Sequence, residues 1–538
     1  MKIKGLLSAA LTIILTLSMV TGFDSCKIDP MNGAKLIINY DLIKTFINVQ
    51  FVDATTGELI GQTDNTEVKV IITGANADAV LDNTGIKKDE YYSTNGFIGL
   101  ALNPNNEFVP TISNPIKFTI VASLDGYIST SKGVTIGKEG TYHEKIVMVN
   151  ISNPPNGVVV KEEKGIGNLQ GGTVQEEITV KTQNDEASIT IPAGTIIKDG
   201  NGNTLSGSLD ISLIYFSNIE DESLAAFPGG LMTTVNQDGQ SLDGAFFSAG
   251  FLAIEINDAN GIKAEIFEVN TAELKMMVDD RTYNPETQAQ VTDGNVVPLF
   301  SYNTDNGEWN FDQEVTIEGG SRSTYEVTAQ ISHLSYWNFD WFWGFPCPDG
   351  IQFLFVGDYS ACGCTEFTGI MRRQADNTFF SYIYFWACEG VPIQTLWAPP
   401  DMPVYIEWDQ GCSSLIVDED FTYIDNLCAP DVMEIYFSVE GGNTTVVSVD
   451  IMGRCAANAN VEVRPTYGAW YRPADSWCWK WAFMYAGHAE ICDVVIGQEY
   501  VIGTYFNGQW YQENVIPVQD TYIYWEIELP DELCNELL

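Results

Sequence analysis

Apolar residues along this chain fall in short runs rich in β-branched and aromatic residues, the mark of β-strands, rather than at the three-to-four-residue spacing of an amphipathic helix. Val68-Lys69-Val70-Ile71-Ile72 alternates toward a buried face, and Ala187 to Ile191, Phe251 to Ile256 and Pro298 to Tyr302 are further strand-like runs. So are Phe379 to Trp386, Val404 to Trp408, Met433 to Val439 and Thr444 to Met452. Clusters of Gly, Asn and Asp, such as Asn257-Asp258-Ala259-Asn260-Gly261, separate the runs and supply hairpin turns. No helix longer than a turn or two is expected. The fold class is therefore all-β, arranged as tandem β-sandwich modules of immunoglobulin-like or transthyretin-like type.

Composition divides the run of strands. Twelve of the thirteen tryptophans lie from Trp337 on, and ten of the eleven cysteines from Cys347 on. The segment ISHLSYWNFDWFWGFPC, residues 331–347, marks the change. Upstream, Asn153-Pro154-Pro155-Asn156-Gly157 reads as a linker, since two prolines forbid a helix. The expected modules are 36–152, 158–343, 347–430 and 431–538, the last division falling at Cys428-Ala429-Pro430. At the N-terminus, Met1-Lys2-Ile3-Lys4 and an apolar run from Leu6 to about Val20 form an export signal, residues 1–25, too short to span a membrane and remain there.

Three stretches carry family resemblances. Phe23-Asp24-Ser25-Cys26 resembles the lipoprotein signal of Bacteroidetes-type surface proteins, although Asp24 departs from the usual small or apolar residue. This implies lipidation of Cys26, a tether over 26–35, and display at the outer membrane or cell surface. The order Phe51 to Gly57, Val68 to Ile72, Thr94 to Phe97, and Phe118 to Tyr127 resembles the carboxypeptidase regulatory-like β-sandwich, a module without peptidase activity. ASITIPAGT, FSYNTDNGEW and SHLSYWN together resemble an extracellular domain shared by bacterial surface proteins and cartilage intermediate layer protein.

Charge narrows the partners. A formal charge of −46 repels nucleic-acid phosphates and anionic lipid surfaces, so membrane attachment is expected through the N-terminal lipid alone. No cofactor is expected apart from a candidate Ca²⁺. Asp199, Asn201 and Asn203 place oxygen ligands at alternate positions, but the glutamate that closes an EF-hand is missing and a hairpin turn is the favoured reading of the same residues. Cys347, Cys362, Cys364, Cys388, Cys412, Cys428, Cys455, Cys478, Cys492 and Cys534 are expected to form disulfides among themselves. Their irregular spacing and the oxidising compartment disfavour zinc.

Catalytic motifs are missing from the sequence. His143, His333 and His488 are the only histidines, and none stands in a metalloprotease, nucleophile-elbow or phosphate-loop pattern. The aromatic residues carry the remaining signal, because flat rings stack on sugars. Trp477, Trp479 and Trp481 would share one strand face, with Lys480 on the other, and core packing is the expected role for that trio. Trp470, Tyr471, Trp510 and Tyr511, near Gly468 and Gly508, are expected in exposed loops and are the candidate ligand-binding residues. The function so read is a surface lipoprotein with a binding or adhesion role. Its N-terminal sandwiches form a stalk, and a disulfide-stapled aromatic tip meets a glycan or a surface protein. A structural component of a surface assembly is the alternative, and an extracellular hydrolase the third reading.

Overall fold

The computed structural model describes residues 36–39 and 43–529, apart from short segments at 84, 106–107, 304–306, 320–323, 345–346, 348–349, 358–363, 395–400, 410–414, 430, 440–443, 457, 465, 477–478, 507–508 and 516–520. The signal segment and Cys26 lie outside the described residues. The fold is all-β, and among the described residues the one α-helix is the five-residue Asp221–Ala225. Among the described residues no helix is long and apolar enough to cross a membrane.

Four sheet-built units follow in order. In the first, Val80–Asp82, Phe97–Leu102, Thr45–Asp53 and Gly140–Met148 form one sheet; Tyr91–Tyr92, Lys69–Thr73, Ile116–Ser123 and Thr130–Ile136 form the other. Their alternating apolar faces meet in a core that includes Ile47, Val49, Phe51, Leu100, Phe118 and Ile120. This closing of two half-apolar sheets on each other is a β-sandwich.

The second unit is built on the nineteen-residue strand Gln240–Asp258, central to a ten-stranded sheet that faces a five-stranded one. The aromatic segment that marks the change in composition becomes the strand Tyr336–Trp343, hydrogen-bonded between Gln240–Asp258 and Val296–Asn303. Both its faces are covered: Trp337, Phe339 and Trp341 are buried, and so are Asn338 and Asp340. The Asn153–Gly157 linker is a packed turn. Val158 N–H donates to the Pro155 carbonyl, and Thr55 Oγ1 donates to the Asn153 carbonyl at 2.6 Å.

The third unit pairs the sheet of Phe379–Cys388, Cys364–Arg373, Val404–Asp409 and Phe421–Ile424 with a smaller sheet of Gln352–Val356, Val432–Val439 and Leu415–Val417. Phe353, Phe355, Phe367, Phe385 and Phe437 fill the space between them. Val432–Val439 runs parallel to Gln352–Val356, which corrects the expected division at residue 430: the strand after Pro430 belongs with the module before it. Alternation marks a strand but does not say which sheet receives it.

The fourth unit is a nine-stranded sheet, and it includes the N-terminal strand Leu36–Asn39, paired in parallel with Asn458–Arg464. The first module thus begins after that strand rather than at residue 36.

The units do not extend as a stalk with a tip. The first unit touches all three others. Lys117 bridges Asp243 of the second unit at 2.9 Å. His143 stacks on Tyr384 of the third at 3.8 Å, and Phe97 meets Trp470 of the fourth at 5.7 Å. Arg372 ties the third unit to the second through a two-pronged pair with Asp221 and a further bond to Glu407. Arg373 lies over the Phe247 ring at 4.3 Å and donates to the Phe246 carbonyl.

Candidate functional site: the aromatic junction and the exposed ladder

The predicted ligand-binding residues sit on strands, not loops. Trp470 and Tyr471 belong to Tyr467–Pro473, whose alternation sends them to opposite faces. Tyr471 enters the core of the fourth unit and donates its hydroxyl to the Cys492 carbonyl at 3.1 Å. Trp470, 2% exposed, turns toward the first unit and packs with Phe97 and Trp481. Exposure in a loop is therefore corrected for both.

Gly468 explains the misreading. A Cβ there would lie 1.8 Å from Trp481 Nε1, so this glycine is the strand floor under an indole rather than a turn. Gly503 serves Trp510 the same way, with the indole 2.0 Å from where a Cβ would be. Trp510 is half-buried on Gln509–Val515, against Trp470 at 5.7 Å and Trp479 at 5.6 Å. Tyr511 follows on the same strand, its backbone opposite Thr504.

Around Phe97 the structure gathers Trp470, Trp479, Trp481 and Trp510, with Trp386 of the third unit 5.5 Å from Trp481. Of the tryptophan trio, Trp481 is buried and Trp479 half-buried, while Trp477 lies outside the described residues. Lys480 is also buried: it points to the side of Ala482 and Met484, where the core of the fourth unit lies.

His143 completes the junction. It is stacked on Tyr384 and stands edge-on to Trp481 at 5.1 Å, and its buried Nε2 has no hydrogen-bond partner. Burial among rings disfavours the charged imidazolium and pushes its pKa down to about 3. His333, 4.8 Å from the Trp337 ring, is likewise lowered by burial. His488 is exposed and bonded to Asp450 at 2.7 Å. A narrow pocket beside the junction is lined by Glu366, Trp386, Tyr471, Lys480, Trp481 and Glu490, and is barely wide enough for a water molecule.

The candidate calcium loop is a self-satisfied turn. Asp199 accepts from the backbone N–H groups of Asn201 and Asn203 at 2.9 and 2.7 Å and from the Asn203 amide at 3.0 Å. Those bonds hold its carboxyl below the usual range. Among the described residues no group of three or more His, Cys, Asp or Glu could hold a metal ion.

Two disulfides are placed, Cys347–Cys428 and Cys364–Cys388, both inside the C-terminal half, and the second joins residues directly opposite on neighbouring strands. Cys455 and Cys492 are also disulfide-bonded. Cys362, Cys412, Cys478 and Cys534 lie outside the described residues.

One aromatic surface escaped the sequence reading. On the outer face of the third unit, Tyr405 stands opposite Tyr423, and Glu407 opposite Phe421. The Tyr405 ring is 5.4 Å from Tyr423 and 5.9 Å from Phe421. Phe421 is 43% and Tyr423 64% exposed. The signal available was aromatic residues at i and i+2 of a short strand, legible as a ladder only once its neighbour is known.

No protein-family model matches the chain, and no curated protein matches it in sequence. Solved structures align only loosely. The Bacillus anthracis TIE protein shares 10% identity over 70% of this chain at a TM-score of 0.14, and the chain spans 58% of that protein's length. The full-length major pilin SpaD from Corynebacterium diphtheriae shares 7% identity over 90% of this chain and 97% of its own, at 0.14. The RrgB pilus protein from Streptococcus pneumoniae shares 7% over 91% and 99%, at 0.13. Superpositions of this quality carry no argument about what the chain does.

Proposed function

We propose that the chain is an exported, lipid-anchored surface protein that binds a partner or takes part in a surface assembly, and that it is not an enzyme. The observation that carries this reading is the exposed Tyr405–Phe421–Tyr423 ladder. Large rings left half in solvent on a regular sheet face mark an interaction surface. With Trp470 committed to contacts within the chain, binding is assigned to the third unit rather than to a C-terminal tip.

One observation favours the assembly form of this reading. Leu36–Asn39 closes the edge of a sheet whose other strands come from the opposite end of the chain. A strand supplied from so far away can be exchanged between copies.

The test uses the full-length mature protein. Glycan and peptide arrays are combined with sedimentation across the micromolar range, and with membrane partitioning of the wild type against Cys26→Ser. Ligand capture or self-association, together with loss of membrane partitioning in Cys26→Ser, supports the proposal. A folded monomer that captures nothing, or partitioning indifferent to Cys26, overturns the corresponding half of it.

A further inference from the structure

We propose that the Tyr405–Phe421–Tyr423 face binds an extended, positively charged peptide segment of a partner protein, added alongside the strand Phe421–Ile424. The inference rests on the binding reading above and names the chemistry of the partner.

Three observations converge. The first is the shape of the surface. Tyr405, Glu407, Phe421 and Tyr423 form a grid on the outer face, while Val404, Ile406, Thr422 and Ile424 between them are buried. The grid is therefore set by the sandwich core and is rigid before any partner arrives. Phe421–Ile424 ends its sheet: among the described residues its only strand partner is Val404–Asp409. An open edge is a template for an added strand.

The second is charge. The exposed Asp418, Glu419 and Asp420 precede Phe421, and the exposed Asp425 follows Ile424. Glu407 lies between the rings, and the nearest cation on that face, Arg372, is already held by Asp221 and Glu407. From Cys347 to the C-terminus the chain contains only six basic residues. A polyanionic ligand is repelled here, and a cation meets both carboxylates and ring faces.

The third is that the same sheet face already performs this recognition within the molecule. Lys145, from the first unit, places its ammonium 4.0 Å over the ring of Tyr382, on the strand Phe379–Cys388. The covered half of the outer face thus receives a lysine from a neighbouring strand, Gly140–Met148, and the uncovered half presents Tyr405, Phe421 and Tyr423 in the same way. Lysines at alternate positions of an added strand would meet these rings, since side chains two apart share a face.

The experiment titrates the full-length mature protein with a fluorescent peptide of alternating lysine and threonine. Alternating glutamate–threonine and cellohexaose serve as comparison ligands. The variant Phe421→Ser with Tyr423→Ser leaves charge and core unchanged. Saturable binding of the lysine peptide that weakens about tenfold in this variant is the expected result, from the usual contribution of two exposed cation–ring contacts. The milder ring variant Phe421→Leu with Tyr423→Leu keeps bulk and charge but removes the ring faces and should weaken binding likewise, so the test survives misfolding of the first variant.

Equal affinity in wild type and the ring variant would reduce the interaction to general attraction by an acidic protein and overturn the proposal. Ring-dependent binding of cellohexaose without the lysine peptide would overturn the peptide assignment and leave the binding reading standing. Failure of every ligand, with negative arrays and no self-association, would remove both.

Discussion

Phe97 and Trp470 come from opposite ends of the chain, and their contact is the most direct measure of whether the first and fourth units form one body. Phe97 is 3% and Trp470 2% exposed, with ring centroids 5.7 Å apart at an interplanar angle of 42°. Truncating a buried aromatic side chain to alanine costs about 3–5 kcal/mol, so Trp470→Ala and Phe97→Ala should each be strongly destabilising. Most of that is lost burial within each residue's own surroundings. The part that belongs to the pair is the coupling between them, about 0.5–1.5 kcal/mol for an aromatic contact of this geometry. A double-mutant cycle isolates it, because the contact of Trp470 with Trp510 is lost alike in the Trp470→Ala and double variants and cancels from the difference. The assay is urea unfolding followed by tryptophan fluorescence in wild type, both single variants and the double variant. The units need not unfold together, so the coupling is read from the transition of the fourth unit, which keeps Trp479, Trp481 and Trp510 in all four proteins. A coupling below about 0.3 kcal/mol, within the error of additivity for separated sites, would refute the docked arrangement and restore an extended one.

Other consequences can be checked with similar means. His143 is held neutral in the folded state with its pKa lowered to about 3, while an unfolded chain takes up the proton near 6.5. Its contribution is therefore complete above pH 6.5 and is lost as pH falls toward 3; His143→Phe should flatten the decline in urea midpoint between pH 6.5 and 4. Burial raises the Asp340 carboxyl well above its ordinary value, although one oxygen accepts the Ala249 N–H at 3.1 Å. A raised carboxyl favours the fold at low pH and disfavours it as pH rises, so Asp340→Asn should raise stability at pH 7 relative to wild type and change little at pH 4. A lower midpoint at pH 7 would refute this. Removing Cys347–Cys428, whose residues are 81 apart, should cost about 4.5 kcal/mol by chain entropy, against about 3.5 kcal/mol for Cys364–Cys388, 24 apart. Equal losses in thermal unfolding of the two double-serine variants would show that loop length does not set the difference.

Much of the architecture was legible in particular residues. Alternation in Ala187–Ile191 and Val404–Asp409 marks strands whose odd and even positions face different surroundings, and both are strands of that kind. The restriction of paired cysteines to the C-terminal half also holds for Cys347–Cys428 and Cys364–Cys388. The candidate site was less legible. Gly468 beside Trp470 reads as a turn next to an exposed ring, because sequence cannot say that the missing Cβ is filled by Trp481 from the neighbouring strand. Phe421 and Tyr423 drew no reading from the sequence, because their partner Tyr405 is known only from register.

Local chemistry, acting within a few residues, determined the all-β class, the turns, the acidic surface and the confinement of cysteines. Such signals need only the pleat, in which neighbouring side chains point to opposite faces. Tertiary structure alone decided which sheet each strand joined, how Leu36–Asn39 came to complete a sheet at the far end of the chain, and which aromatic rings are buried. The physical reason is that a strand exposes two faces and two edges of nearly equal capacity. What covers each of them depends on residues hundreds of positions away, as Phe97 on Trp470 and Lys145 over Tyr382 demonstrate.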